Sequence, residues 1–273
     1  MRTLHILTLN WNGSDHLKKL IPSLEKAVLA VERSDDWAVK WYVRDNGSKD
    51  DSIKVLEGYS RSKQIFEVGH NRGTFASGMN ELRGSIAPAS SDMIMLLNND
   101  IEFRDDLGIV QMLALQKKTQ ADVVGARLQF GGTNKLQHAG VIFSRKYNLL
   151  PFHFRPGEES DANAKKDRLF QAVTAACCLV REDTLRTIGG MDEGFRWAFD
   201  DVDMCLSIKN QGGKIAYCGS TEISHEESAS LKKNPVNKMF MGPSVERFRK
   251  KWNGKYEIDH EMYLGNPNFR EIK

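Results

Sequence analysis

Side chains able to do chemistry gather at four places along the 273 residues. They are Asp45 in RDNGSKDDS, Asp100 in LLNND, the trio Asp200, Asp201 and Asp203 in FDDVD, and His225 in ISHEES. Asp100 has the most pointed setting. The run Met93-Ile94-Met95-Leu96-Leu97 is wholly apolar, as in a strand covered on both faces, and it ends directly in Asn98, Asn99 and Asp100. A carboxylate there is either a turn residue or a ligand for something bound at the sheet edge. Crowded carboxylates at a helix start can provide a general base, and a histidine can complete a cation site.

Each place also has a plain structural reading. Asp45-Asn46-Gly47-Ser48 is a good turn. It does not make a calcium loop, because Gly47 and Lys49 break the required spacing. Asp200 and Asp201 suit a helix N-terminus on charge grounds alone, and a lone His225 suits a loop or core. Gly69, Gly73 and Gly78 do not space as a dinucleotide fingerprint.

The elements decide how these residues combine. Strand signals at 4–10, 38–45, 64–69 and 93–97 alternate with helical signals at about 14–33, the low fifties, 71–82 and 106–117. That alternation predicts βαβ units and a twisted parallel sheet. Asp45 and Asp100 then fall at the same carboxyl edge, where a nucleotide would sit. The second half reads as strands at 122–130, 139–144, 171–181 and 214–218 and helices after Glu182, from about Asp200 and at 245–252. Residues 151–168, rich in Pro and charge, read as a mobile loop. No linker or repeat divides the chain, so a single α/β domain with a mixed second half is expected.

Composition sets outer limits. Apolar residues at 40% and charged residues at 27% are ordinary for a globular chain, and a net charge of +3 gives no case for nucleic acid. No stretch approaches the roughly 20 apolar residues of a membrane span, and the N-terminus lacks a signal-peptide pattern. Cys177, Cys178, Cys205 and Cys218 form no CxxC and read as reduced, buried thiols of a cytoplasmic protein.

Taken in order, TLNWNG, RDNGSKDDS, NRGTFASGMN, LLNNDIEF, AACCLVRED, IGGMDEGFRWAFDDVDMCLSIKNQGGKI and the late Ser224-His225 resemble the family 2 glycosyltransferases over roughly residues 3 to 253. The likeness is strongest to their rhamnosyltransferase-like branch. It implies an α/β fold of the A type (GT-A), with a Rossmann-like nucleotide-sugar-binding half over about 3–125. An acceptor-binding and catalytic half with a mixed sheet would follow over about 126–253, then a C-terminal tail over 254–273. It implies inverting transfer from dTDP-L-rhamnose or a UDP-sugar to a saccharide or lipid-linked saccharide, in polysaccharide or glycolipid assembly.

Residue by residue, the resemblance assigns Asp45 to the base or ribose, with Asn10, Asn71 and Asn99 on the nucleotide side. Asn98-Asn99-Asp100 matches the metal-binding D-x-D, with Asp100 the ligand and Asn98 a departure, since an amide is a poorer ligand than a carboxylate. Asp201 matches the catalytic base, with Asp200 and Asp203 supporting it or binding acceptor, and His225 matches a late metal ligand. The implied cofactor is Mn²⁺ or Mg²⁺, a hard Lewis acid that neutralises a leaving diphosphate; histidine tilts the choice toward Mn²⁺. The basic residues Lys232, Lys233, Lys238 and ERFRKKW read first as a solvated helix face. Their alternative is peripheral contact with the inner face of a membrane. Two other functions remain open on sequence: a nucleotide-sugar-binding module without catalysis, and a nucleotidyltransferase.

Overall fold

The computed structural model describes residues 2–33, 36–59, 63–67, 73–226 and 236–273. Four parallel strands form its first half: β1 (Arg2–Asn10), β2 (Trp37–Asp45), β3 (Lys63–Glu67) and β4 (Met93–Leu97). Helices α1 (Ser14–Glu32), α2 (Ser52–Glu57), α3 (Phe75–Ile86) and α4 (Gly108–Thr119) alternate with them. Between β4 and α4 lies the short β5 (Ile101–Phe103). The second half supplies β6 (Val123–Phe130), β7 (Leu136–His138), β8 (Val141–Phe143), β9 (Pro151–His153), β10 (Arg168–Phe170) and β11 (Cys177–Arg181). Then come α5 (Glu182–Thr187), α6 (Asp200–Asn210), β12 (Ile215–His225), α7 (Val236–Trp252) and α8 (His260–Gly265).

The main sheet runs β10-β12-β6-β11-β4-β1-β2-β3. Strands β1 to β4 are parallel, whereas β11 lies antiparallel to both β4 and β6, so the sheet turns mixed at its middle. Alternation along β4 shows why its sequence is apolar without interruption. Ile94 and Leu96 face the core that includes Met79 and Leu82 of α3 and Cys205 and Leu206 of α6. Met93, Met95 and Leu97 face the opposite core with Leu17 and Leu20 of α1 and Met112 of α4. A strand with helices over both faces has no polar side to present. All four cysteines are free and buried.

Residues 151–168 depart from the expected mobile loop. Arg155 lays both guanidinium nitrogens on Asp161, at 2.7 and 2.9 Å, and its Nε on Glu158 at 2.7 Å. These pairs hold Asp161 down to about 2, with the Arg155 hydrogen bond the main cause. The charges that suggest solvation in the sequence neutralise one another within the segment. The C-terminal residues are also tied in: His260–Gly265 is helical, and Glu271 bridges to Arg168. Among the described residues no helix is long and apolar enough to cross a membrane.

Candidate functional site

The carboxyl ends of β1 and β2 are in register, Asn10 opposite Asp45, and their side chains bond directly. Asn10 Nδ2 donates to Asp45 Oδ2 at 2.7 Å, and Ser48 Oγ donates to the same oxygen at 2.7 Å. Asp45 Oδ1 accepts from the backbone N–H groups of Gly47 (3.1 Å) and Ser48 (2.8 Å). The carboxylate is 1% exposed. Its four acceptor positions are thus occupied in holding the turn that follows β2, a turn that needs Gly47 at φ 79°. Asn99 Nδ2 joins this edge from the end of β4 by donating to Asn10 Oδ1 at 2.8 Å. Gly13 lets the three strand ends close up: a Cβ there would stand 2.3 Å from Asn99 Nδ2 and 2.5 Å from Asn10 Oδ1. Asn71 lies outside the described residues.

The second cluster is made by the short β5. After Asn98-Asn99-Asp100 the chain re-enters the sheet and pairs antiparallel with the end of β12, Ile101 opposite His225. The Glu226 N–H closes the turn on the Asp100 carbonyl at 3.0 Å. That pairing sets His225 Nε2 3.0 Å from Asp100 Oδ1. Burial raises the Asp100 carboxyl, but the hydrogen bond and charge of His225 outweigh it and leave the group below its ordinary value. Asn98 Nδ2 lies 3.3 Å from His225 Nε2, and Gln137 Oε1 lies 2.7 Å from His225 Nδ1.

Asp100 and His225 suit a divalent cation. An oxygen and an imidazole nitrogen held 3.0 Å apart match neighbouring corners of an octahedron whose ligands lie about 2.1 Å from a cation. Among the described residues no group of three or more His, Cys, Asp and Glu side chains converges as a metal site. A cation held by this pair would take its remaining ligands from substrate and water, the usual arrangement for Mg²⁺ with phosphates.

The third cluster starts α6. Ala198 (φ 64°) and Phe199 (φ 69°) are both left-handed, a conformation costly for side chains with a Cβ, and they turn the chain sharply into Asp200. Asp201 Oδ2 accepts from Ala175 N–H at 3.2 Å, and its Oδ1 accepts from Val202 N–H at 2.8 Å. The next residue, Ala176, accepts from the Asn98 N–H at 2.9 Å. Two consecutive alanines therefore join Asp201 to the turn that carries Asp100. Burial, with the charge of Asp201 second, pushes the Asp200 carboxyl up to about 7. Asp203 is 2% exposed and occupied, accepting from Trp252 Nε1 at 2.7 Å and Lys251 Nζ at 2.9 Å. It fastens α6 to α7.

Asp45 and Asp100 thus share a ligand edge through Asn10 and Asn99, and Asp100 is joined to His225 directly and to Asp201 through Ala175-Ala176. Sequence reasoning missed Gln137, which sits in a stretch without periodicity and gives no signal of its own. It also missed Asn80 of α3, whose amide brackets Met191 at 2.8 and 2.9 Å and ties down the chain that leads to α6.

A mixed sheet with its polar residues at the carboxyl ends of three parallel strands is the A-type glycosyltransferase fold. Residues 18–239 match the family described as "Glycosyltransferase like family 2", and the chain belongs to that family. It is 27% identical over 264 residues to the uncharacterized protein y4gI of Sinorhizobium fredii (strain NBRC 101917 / NGR234), covering 93% of this chain and 28% of that protein. It is 24% identical over 282 residues to the rhamnosyltransferase WbbL of Escherichia coli (strain K12), covering 98% of this chain and 97% of WbbL. The chain thus spans little more than a quarter of the first relative and nearly all of the second. Among solved structures, GalNAc-T7 with UDP, GalNAc and Mn²⁺ superimposes with a TM-score of 0.67 at 12% identity, covering 93% of this chain and 49% of GalNAc-T7.

Proposed function

We propose that this protein transfers a sugar, with inversion, from a nucleotide-diphosphate-sugar to an acceptor hydroxyl. Asp201 is the base, and Asp100 and His225 hold Mn²⁺ or Mg²⁺. The observation that carries the reading is the 3.0 Å Asp100–His225 pair, tied on one side to the Asn10–Asp45 edge and on the other to Asp201. When bound, the cation would supply Lewis acidity against the charge of the leaving diphosphate. Asn10 and Asn99 line the nucleotide side, to which the resemblance also assigns Asn71, and Asp45 holds the loop that meets the base or ribose. Asp201 accepts the proton as the acceptor oxygen bonds to the anomeric carbon, and the sugar–phosphate bond breaks with its electron pair leaving on the diphosphate. Direct displacement of this kind inverts the anomeric centre. Fixing Asp201 through two backbone N–H groups lets the base meet the hydroxyl without reorganising. Asp200 precedes it in the chain, and Asp203 supports the helix that carries both by fastening it to α7.

The name of the WbbL relative favours rhamnose as the sugar moved; dTDP-L-rhamnose is the donor proposed, with UDP-sugars the alternative. A saccharide or lipid-linked saccharide acceptor, in polysaccharide or glycolipid assembly at the inner face of a membrane, agrees with basic residues on α7. Arg247 and Lys251 are committed to Asp192, but Arg249 and Lys250 are exposed. Lys232 and Lys233 lie outside the described residues. The test is incubation with a panel of nucleotide-sugars and Mn²⁺, with products separated. Nucleoside diphosphate release supports transfer. Pyrophosphate appearing with a nucleoside triphosphate would make the protein a nucleotidyltransferase, and tight binding with no product a module without catalysis.

A further inference from the structure

Gln137 is 2% exposed, an unusual burial for an amide on a three-residue strand. Leu128 of β6 faces His138 of β7 and Gln129 faces Leu136, so Gln137 is an extra residue with no partner in the ladder. A bulge of this kind bends its strand and re-aims a side chain. Here the re-aimed side chain reaches across to the end of β12, with Oε1 2.7 Å from His225 Nδ1. Its Nε2 has no hydrogen-bond partner among the described residues, which is a loss in a buried place. Packing does not account for that loss, because Met would fill the same space without it.

The contacts around the ring fix its hydrogen. An amide oxygen only accepts, so His225 Nδ1 carries a proton, and a ring that is neutral turns its lone pair outward at Nε2. Asn98 Nδ2, a donor 3.3 Å away, suits a lone pair. Asp100 Oδ1, at 3.0 Å, does not. When the ring is charged an Nε2 proton fills that gap, and a divalent cation held by both atoms takes the place of the proton. We infer that Gln137 is a positioning residue that holds His225 in the Nδ1–H tautomer, so that Nε2 and Asp100 together take a divalent cation.

The inference rests on the metal reading above and deepens it. It also gives the folded segment after β9 a purpose. Gly157 N–H donates to the Leu136 carbonyl and Leu136 N–H to the Glu158 carbonyl, both at 2.7 Å, while His153 Nδ1 lies 3.0 Å from the Gln137 carbonyl. The Arg155–Asp161 clasp closes the same segment behind the bulge.

The experiment uses the full chain labelled with ¹⁵N-histidine, free of metal, near pH 8. The His225 signals are identified by their loss in His225→Gln. The parent is expected to show the Nδ1–H tautomer, and Gln137→Met to shift toward Nε2–H, which can then donate to Asp100. Mn²⁺ affinity, read from the free-ion electron spin resonance signal with UDP or dTDP present, should fall about 10- to 100-fold in Gln137→Met. Gln137→Glu keeps the acceptor and should restore both the tautomer and most of the affinity, although it buries a charge that a packing role would resist. An Nε2–H tautomer in the parent overturns the inference without recourse to any variant. So does Gln137→Met with tautomer and affinity unchanged, or Gln137→Glu binding as weakly as Gln137→Met. A parent that binds no Mn²⁺ overturns the metal reading itself, and the metal-free tautomer keeps that failure distinct from a failure of Gln137 to orient the ring.

Discussion

Replacing Asp201 by Asn separates catalysis from binding and from folding. The amide keeps the shape and the Oδ1 contact with Val202 N–H, but it cannot take a proton. If Asp201 is the base, turnover should fall about 10²- to 10⁴-fold, or about 3–5 kcal/mol of barrier. Two stability effects oppose each other. Loss of the Ala175 N–H bond costs about 1 kcal/mol, while removal of the Asp201 charge relieves Asp200.

That relief has a defined pH window. The Asp200 carboxyl is raised to about 7 when folded, against about 3.9 in an unfolded chain. Between these values the folded protein binds more protons than the unfolded one. Stability therefore falls as pH rises from about 4 to about 7, by a few kcal/mol in all, and levels off above. Asn at 201 should flatten this slope in part, because burial, the larger cause, remains. At neutral pH the two effects nearly cancel, so the melting temperature should stay within a few degrees of the parent's. The assays are diphosphate release with donor and acceptor, calorimetric titration of nucleoside diphosphate with Mn²⁺, and melts from pH 4 to 8. Turnover above about a tenth of the parent's refutes Asp201 as the base and passes the role to Asp200. An unchanged pH slope refutes the electrostatic coupling.

Asp100→Ala should leave nucleoside diphosphate binding indifferent to Mn²⁺ in calorimetry, and chelator should abolish turnover of the parent; full turnover in excess chelator contradicts the metal reading. Asp203→Ala strands the buried Trp252 Nε1–H and leaves Lys251 only Asp192, so urea unfolding should show about 2–3 kcal/mol of lost stability. A change under about 0.5 kcal/mol would mean that α6 and α7 are held together by other contacts. Ala198→Gly, at φ 64°, should stabilise the protein by about 1 kcal/mol in the same measurement, and a loss would show that the left-handed turn carries no strain.

How much of this was legible in the sequence depends on the distance over which each feature is specified. The nucleotide half reads well because β1, β2 and β4 carry their own period and parallel pairing forces their ends onto one edge. Asp45 and Asp100 could be grouped on that rule alone. Strands β5, β7, β9 and β10 have three residues each, too few for any alternation to register. They are specified by partners far away in the chain, and β5 is the element that sets Asp100 against His225. The segment 171–181 misleads for a related reason. It is apolar from Ala172 to Val180 apart from Thr174, yet only Cys177–Arg181 is strand, because the backbone before it turns aside to bond Asp201 and Asn98. In 151–168 the charges carry no mark of which acid meets which base, so a clasp looks like a solvated loop.

Ala175 and Ala176 show how a site can depend on residues that do no chemistry. The Asp201 carboxylate and the Asn98 backbone both approach main-chain groups at this point, one bonding the N–H of Ala175 and the other the carbonyl of Ala176. Both alanines are buried, 4% and 6% exposed, with Ala175 packed in the core under α6 and Ala176 in the core under α1 and α4. The two-residue link therefore passes through the sheet from one helical layer to the other. Larger side chains would have to displace one core or the other to keep the same bonds, since close-packed interiors have little spare volume. The separation between Asp201 on α6 and the Asp100–His225 pair, just before β5 and at the end of β12, is thus set by rigid backbone.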